Sequence, residues 1–228
     1  MSFKSKKTKP LVLINLKTYP QTIASKGLSV GKQLSQLKPK NYSLAIAPTL
    51  LTLKETVKRI PKKHMSLFSQ HADTFPGAFT GSIPIKELQH IGVKGVIVNH
   101  SEKKVPFKQL QETIALCRTS RLQTVVCASR LSEVKKIAKL HPDYLAYEPK
   151  KLIGGNISVT TAKPKIIIKA LMVIQRYSPK TQLLVGAGVH NNQDLTQALL
   201  LGASGVLIGH AIATARNPGK ALQKLLGE

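Results

Sequence analysis

At 228 residues, with 42% of them apolar and Leu, Ile and Val outnumbering the aromatics, the chain is long enough to bury one sizeable core. Its two cysteines, Cys117 and Cys127, are too few for a disulfide framework or a zinc cage, and no apolar run approaches the ~20 residues of a membrane-spanning helix. Thirty-five Lys and Arg against ten Asp and Glu give a formal charge of +25, which points to anionic partners: nucleic acid, an acidic membrane surface or charged substrates. Apart from an N-terminal group (Lys4, Lys6, Lys7, Lys9) the lysines are spread along the chain, which predicts a generally basic surface rather than a dedicated patch.

The basic segment 1–10 is expected to be flexible, and the apolar LVLI after it breaks at Asn15, too short for a signal-peptide core, so a cytoplasmic protein is expected. From there β-like runs alternate with helix-like ones. The predicted strands are LVLINLK (11–17), YSLAIA (42–47), MSLFSQ (65–70), GVIVNH (95–100), LQTVVCA (122–128), DYLAY (143–147), QLLVGAG (182–188) and GVLIGH (205–210). The predicted helices cover 21–37, 50–60, 85–90, 107–118, 131–140, 161–177, 191–201 and 218–226. Ser132 before Glu133 and Pro218 mark starts, and Gly92 and Gly202 mark stops. Strict alternation, with strands of continuous Val, Ile and Leu, predicts a parallel sheet buried on both faces. Eight units without a linker predict a single domain over 1–228, a closed (β/α)8 barrel, with an open doubly wound sheet as the second choice.

Such barrels place their chemistry at the carboxyl ends of the strands. Polar residues and glycines gather there: Asn15 and Lys17 after the first, Gln70 after the third, Asn99 and His100 after the fourth, Glu148 after the sixth, Gly186 and Gly188 after the seventh, Gly209 after the eighth. In DYLAYEPKKLIGGN a strand ends on the carboxylate of Glu148, Pro149 stops its ladder, and a Gly-bearing loop follows that can close over a ligand. Ser101 and Glu102 read as the first turn of a short helix, which would lower the His100 pKa and keep the imidazole neutral at pH 7, fit to polarise a carbonyl. Lys17 alternates with Asn15 out of a strand, so both would face the barrel mouth, and Glu102 is a candidate partner for Lys17. Gly154, Gly188 and Gly209 can bring backbone N–H groups to a phosphate. Gly186-x-Gly188 is not a dinucleotide fingerprint, since Asn191 stands where the third Gly belongs. Without a Walker loop or His-Glu-x-x-His, no metal and no cofactor are predicted. Three Asn-x-Ser tripeptides, at Asn41, Asn99 and Asn156, read as chance matches.

Taken together, LINLKTY, GAFTGSI, VNHSEKK, YEPKKLIGG, LLVGAG and LIGHA, in that order, resemble the triosephosphate isomerase family over nearly the whole chain, most closely its compact branch typical of archaea. The resemblance implies interconversion of dihydroxyacetone phosphate and glyceraldehyde 3-phosphate by proton abstraction next to a carbonyl. It implies that Glu148 is the general base, His100 the neutral electrophile, and Asn15 and Lys17 the pair that stabilises developing negative charge. Glu102 matches the acidic residue after the His-Ser pair, and Cys127 a cysteine often found in the fifth strand. Residues 150–156 match the lid, with Gly154 gripping phosphate beside Gly188, Gly209 and His210. HADTFPGAFTG resembles the family's interdigitating loop, with Thr80 near the neighbour's site, so a homo-oligomer is implied, dimer favoured and tetramer possible. No specific nucleic acid and no membrane are implied as partners. Gly155 and Asn156 depart from the usual lid, His210 puts a ring where a small residue is usual, and Gly188 replaces a serine common in other branches. Two alternatives stand beside this reading: another phosphate-binding barrel, such as a pentose-phosphate epimerase, and a basic barrel that binds polyanions.

Overall fold

The computed structural model describes residues 9–74, 77–149 and 164–228. Eight parallel strands close into a barrel: β1 (Leu11–Asn15), β2 (Ser43–Ala47), β3 (Ser66–Ser69), β4 (Gly95–Val98), β5 (Gln123–Ala128), β6 (Tyr144–Tyr147), β7 (Gln182–Val185) and β8 (Gly205–Ile208). β1 pairs with both β2 and β8, so there is no edge strand and the fold is the closed (β/α)8 barrel, not the open doubly wound sheet. The period-2 geometry of the strands sorts their side chains into two cores. Leu13, Ala45, Phe68, Ile97, Val125, Ala146, Leu184 and Leu207 fill the barrel. Val12, Ile46, Val96, Val126, Leu145, Leu183 and Val206 point outward to the helices. The inner layer mixes large with small: Phe68 stands in register with Gly95, where a Cβ would collide with its ring.

Around the strands lie α1 (Ala24–Ser35), α2 (Leu50–Arg59), α3 (Ile85–Ile91), α4 (Phe107–Thr119), α5 (Leu131–Ala138), α6 (Pro164–Tyr177), α7 (Asn192–Leu200), α8 (His210–Ala213) and α9 (Pro218–Leu226). Their ends follow local chemistry. Gly92 closes α3 in the left-handed region at φ 85°. Asn217 accepts a hydrogen bond from the Lys220 N–H at 2.9 Å, with Pro218 opening α9. Asn191 caps α7 through Asp194 N–H at 3.0 Å. Ser132, expected to start α5, lies inside it; the start is fixed instead by Glu133, whose carboxylate accepts the Ser129 N–H at 2.8 Å. α1 begins at Ala24 rather than 21, because the buried Thr22 hydroxyl donates to the Leu16 carbonyl at 2.7 Å and ties the preceding residues into a turn.

Every strand is present, but several stop short of the sequence reading at the carboxyl end. Lys17 and Asn99 leave the ladder with φ of 48° and 58°. His210, read as the end of a strand, opens the unforeseen helix α8. Among the described residues no helix is long and apolar enough to cross a membrane. The expected flexibility of residues 1–8 and the lid at 150–156 lie outside the described residues.

Candidate active site

Inward positions continue past the last layer of barrel core. Two residues beyond Leu13 is Asn15, beyond Ala146 is Glu148, beyond Leu184 is Gly186, and beyond Leu207 is Gly209; all four line one cleft of about 530 Å³, open to solvent, with Lys17, His100, Gly188 and His210.

Glu148 keeps its backbone in the sheet, donating N–H to the Ala128 carbonyl at 2.8 Å. Its carboxylate is only 2% exposed. Oε1 lies 3.4 Å from His100 Nε2, and Oε2 has no hydrogen-bond partner among the described residues. A buried, half-unsatisfied carboxylate is costly and is the feature of this cleft most in need of a reason. It fits because the residue just past β7 is Gly186, whose N–H donates to the Tyr147 carbonyl at 3.0 Å and where a Cβ would overlap Glu148 Cγ and come within 3.0 Å of Oε1.

His100 is 7% exposed. Ser101 and Glu102 form a turn closed by Lys103 N–H on the His100 carbonyl at 2.9 Å, not the expected short helix. That turn aims the Glu102 N–H at His100 Nδ1, 3.2 Å away. A backbone N–H only donates, so Nδ1 accepts and the proton of this tautomer sits on Nε2, the nitrogen facing Glu148.

Lys17 reaches the mouth by a route other than strand alternation. β1 ends at Asn15; the Lys17 N–H donates to Asn15 Oδ1 at 3.0 Å and turns the chain. The Lys17 ammonium meets Glu102 Oε1 at 2.6 Å, which is the anticipated pairing. With Oδ1 committed, Asn15 retains its amide N–H groups for the cleft. Gln70 and Asn99 do not line it. Gln70 donates to the carbonyls of Lys17 and Ala47 at 3.1 and 3.0 Å, and Asn99 to that of Cys127 at 2.9 Å, so both brace the mouth from outside.

Gly188, at φ 65°, and Gly209, the residue before α8, form one corner with His210. The His210 ring packs edge-to-face on Tyr19, centroids 5.8 Å apart. Gly154 lies outside the described residues. No motif marks Tyr19 or His190 as cleft residues, and Gly186 stands out only as a strand-end glycine. Behind Glu148, the Cys127 thiol is held protonated: burial pushes its pKa well above the ordinary value, and the adjacent carboxylate, its hydrogen-bond partner, adds to this. Among the described residues, no group of three or more His, Cys, Asp or Glu is placed to hold a metal ion.

A closed parallel barrel whose cleft at the carboxyl ends of the strands holds a carboxylate, an imidazole and an ammonium is the architecture of a (β/α)8-barrel enzyme. More narrowly, the chain belongs to the triosephosphate isomerase family, whose sequence model matches residues 10–225. It is 32% identical to the triosephosphate isomerase of Methanocaldococcus jannaschii over 95% of this chain and 98% of the relative. It is 34% identical to that of Thermoplasma volcanium over 94% and 98%, and 30% identical to that of Methanosarcina mazei over 95% and 97%.

Proposed function

We propose that this chain is a single-domain, cytoplasmic triosephosphate isomerase of glycolysis and gluconeogenesis, interconverting dihydroxyacetone phosphate and D-glyceraldehyde 3-phosphate through an enediolate. The observation that carries the proposal is the buried Glu148 carboxylate, unpartnered at Oε2, facing the Nε2 side of His100 across a small cleft. In this reading the substrate phosphate rests in the corner of Gly188, Gly209 and His210, with Gly154 from the lid. Glu148 takes a proton from the carbon next to the carbonyl. The electron pair moves to the carbonyl oxygen, where the Lys17 ammonium and the Asn15 amide offset the new charge. His100 gives its Nε2 proton to that oxygen and recovers one from the neighbouring hydroxyl. Glu148 then returns its proton to the other carbon, so no co-reactant is consumed. Glu102 is the positioning residue, holding Lys17 by its carboxylate and His100 by its N–H.

Preorganised donors to the enediolate are worth about 10²–10³ in rate. The same reading makes the protein a homo-oligomer, dimer favoured, with the exposed Thr80 reaching a neighbour's cleft. The test is an assay coupled to glyceraldehyde 3-phosphate consumption, comparing wild type with Glu148→Gln. The variant keeps the volume and the fold and loses about 10²–10⁴ of kcat. Near-normal turnover in a folded variant removes Glu148 as the base.

A further inference from the structure

At the opposite end of the barrel, the turns leading into β1, β2 and β3 frame a second cleft of about 730 Å³, open to solvent. Lys9 comes from the approach to β1, Lys38 from the turn between α1 and β2, and Lys62, Lys63 and His64 from the turn between α2 and β3. The four lysines are exposed and His64 is half-buried. No Asp or Glu lines the cleft, and none of the four lysines joins an ion pair among the described residues. Among the described residues, carboxylates answer Lys17, Arg59, Lys104 and Arg130, all of them away from this cleft. Gathering like charges without counter-ions costs free energy, and a bound anion reverses the sign of that term. The buried side chains of Leu44 and Met65 form the floor, and Tyr42 and Pro39 supply ring surfaces.

We propose that this cleft binds a linear oligophosphate, three or more linked phosphate groups, supplied either as an inorganic chain or as the tail of a nucleotide whose base lies against Tyr42. A single phosphate would engage only part of a rim built from three segments; closely spaced phosphates engage all of it. The cleft has small-molecule dimensions, whereas nucleic-acid binding needs a basic groove that tracks the strand and carries several stacking aromatics. The assignment goes beyond the isomerase reading and uses none of its residues.

Calorimetric titration of the full chain with sodium tripolyphosphate, ATP and inorganic phosphate tests it. Two variants are compared: Lys9→Gln/Lys38→Gln/Lys63→Gln, one lysine from each segment, and the charge-matched Lys135→Gln/Lys136→Gln/Lys139→Gln at the C-terminal end of α5. Tripolyphosphate and ATP are expected to fill one saturable site, with inorganic phosphate weaker than either. The cleft variant loses about tenfold or more in affinity, the α5 variant stays near wild type, and isomerase kinetics are unchanged in the cleft variant. Tighter binding of ATP than of tripolyphosphate assigns the nucleotide; equal or weaker binding assigns the inorganic chain. Equal losses in the two variants, binding insensitive to the cleft variant, or no saturable site would overturn the proposal. So would a single-stranded RNA that displaces tripolyphosphate and binds more tightly, which would give the surface to nucleic acid.

Discussion

What Gly186 lacks decides where Glu148 can stand. A methyl group there would overlap Cγ of the carboxylate side chain and sit 3.0 Å from Oε1, so Gly186→Ala must push the carboxylate away from its position over the cleft. A reacting group displaced by about 1 Å costs up to about 10²-fold in rate, so kcat is expected to fall by about ten- to a hundredfold with KM little changed. Steady-state kinetics on the variant check this, and an unaltered kcat would show that β7 does not set the base. The glycine itself was visible in the sequence; its reason was not. Spacing along one strand reports which residues share a face, while this requirement arises between neighbouring segments just past the ends of β6 and β7. Lys17 and Asn99 were hidden for a different cause. Their left-handed φ values cost roughly 1–2 kcal/mol each in an ordinary residue, and neither is a glycine that would advertise the turn.

At the scale of elements, α4 shows how a helix is held and when it lets go. Leu110, Thr113, Ile114 and Cys117 repeat at helical spacing and are the face it buries. Burial, followed by the nearby Asp143 carboxylate, pushes the Cys117 thiol up to about 12 from 9.0. Between those values the unfolded chain has given up a proton that the native chain keeps. Stability is therefore complete below pH 9.0 and falls as pH rises, by about 1.4 kcal/mol per pH unit for this thiol. Urea unfolding at pH 8, 9 and 10 should show a shallower decline for Cys117→Ala than for wild type; parallel declines would mean that the thiol is not the group responsible. The helix itself was legible, predicted over 107–118, because it is long enough to repeat its pattern. α8 was not, because His210–Ala213 is a single turn, too short to repeat a helical pattern. The turn at Ser101 was misread as helix for a related reason: its hydrogen bonds end after one residue step, and nothing in His-Ser-Glu announces that.

For the molecule as a whole, the eightfold alternation favoured closure over the open doubly wound sheet, because eight βα units in about 230 residues are the count of a closed barrel. The distribution of charge was not predictable in the same way. Lysines that are scattered in sequence are brought together by three turns at one end of the barrel, because all the turns that enter strands lie at that end. The net charge of +25 also surrounds the cleft that holds Lys17 and His100. A dianionic substrate should be steered by that field, so kcat/KM is expected to fall as salt rises from about 20 to 200 mM, where the screening length shrinks to below about 10 Å. A flat profile would remove steering as a role for the charge.

The seam between β1 and β8 has a consequence for how the molecule is made. Asn15 and Lys17 are among the first described residues to leave the ribosome, and Gly209 and His210 among the last. Until β8 is synthesised, one side of β1 has no partner and remains an open hydrogen-bonding edge. Its last strand then docks with Gly205 set tightly against the Leu11 backbone, and the same docking brings Gly209 beside Lys17. The contact that closes the ring therefore also brings the Gly209 side of the mouth against the Lys17 side.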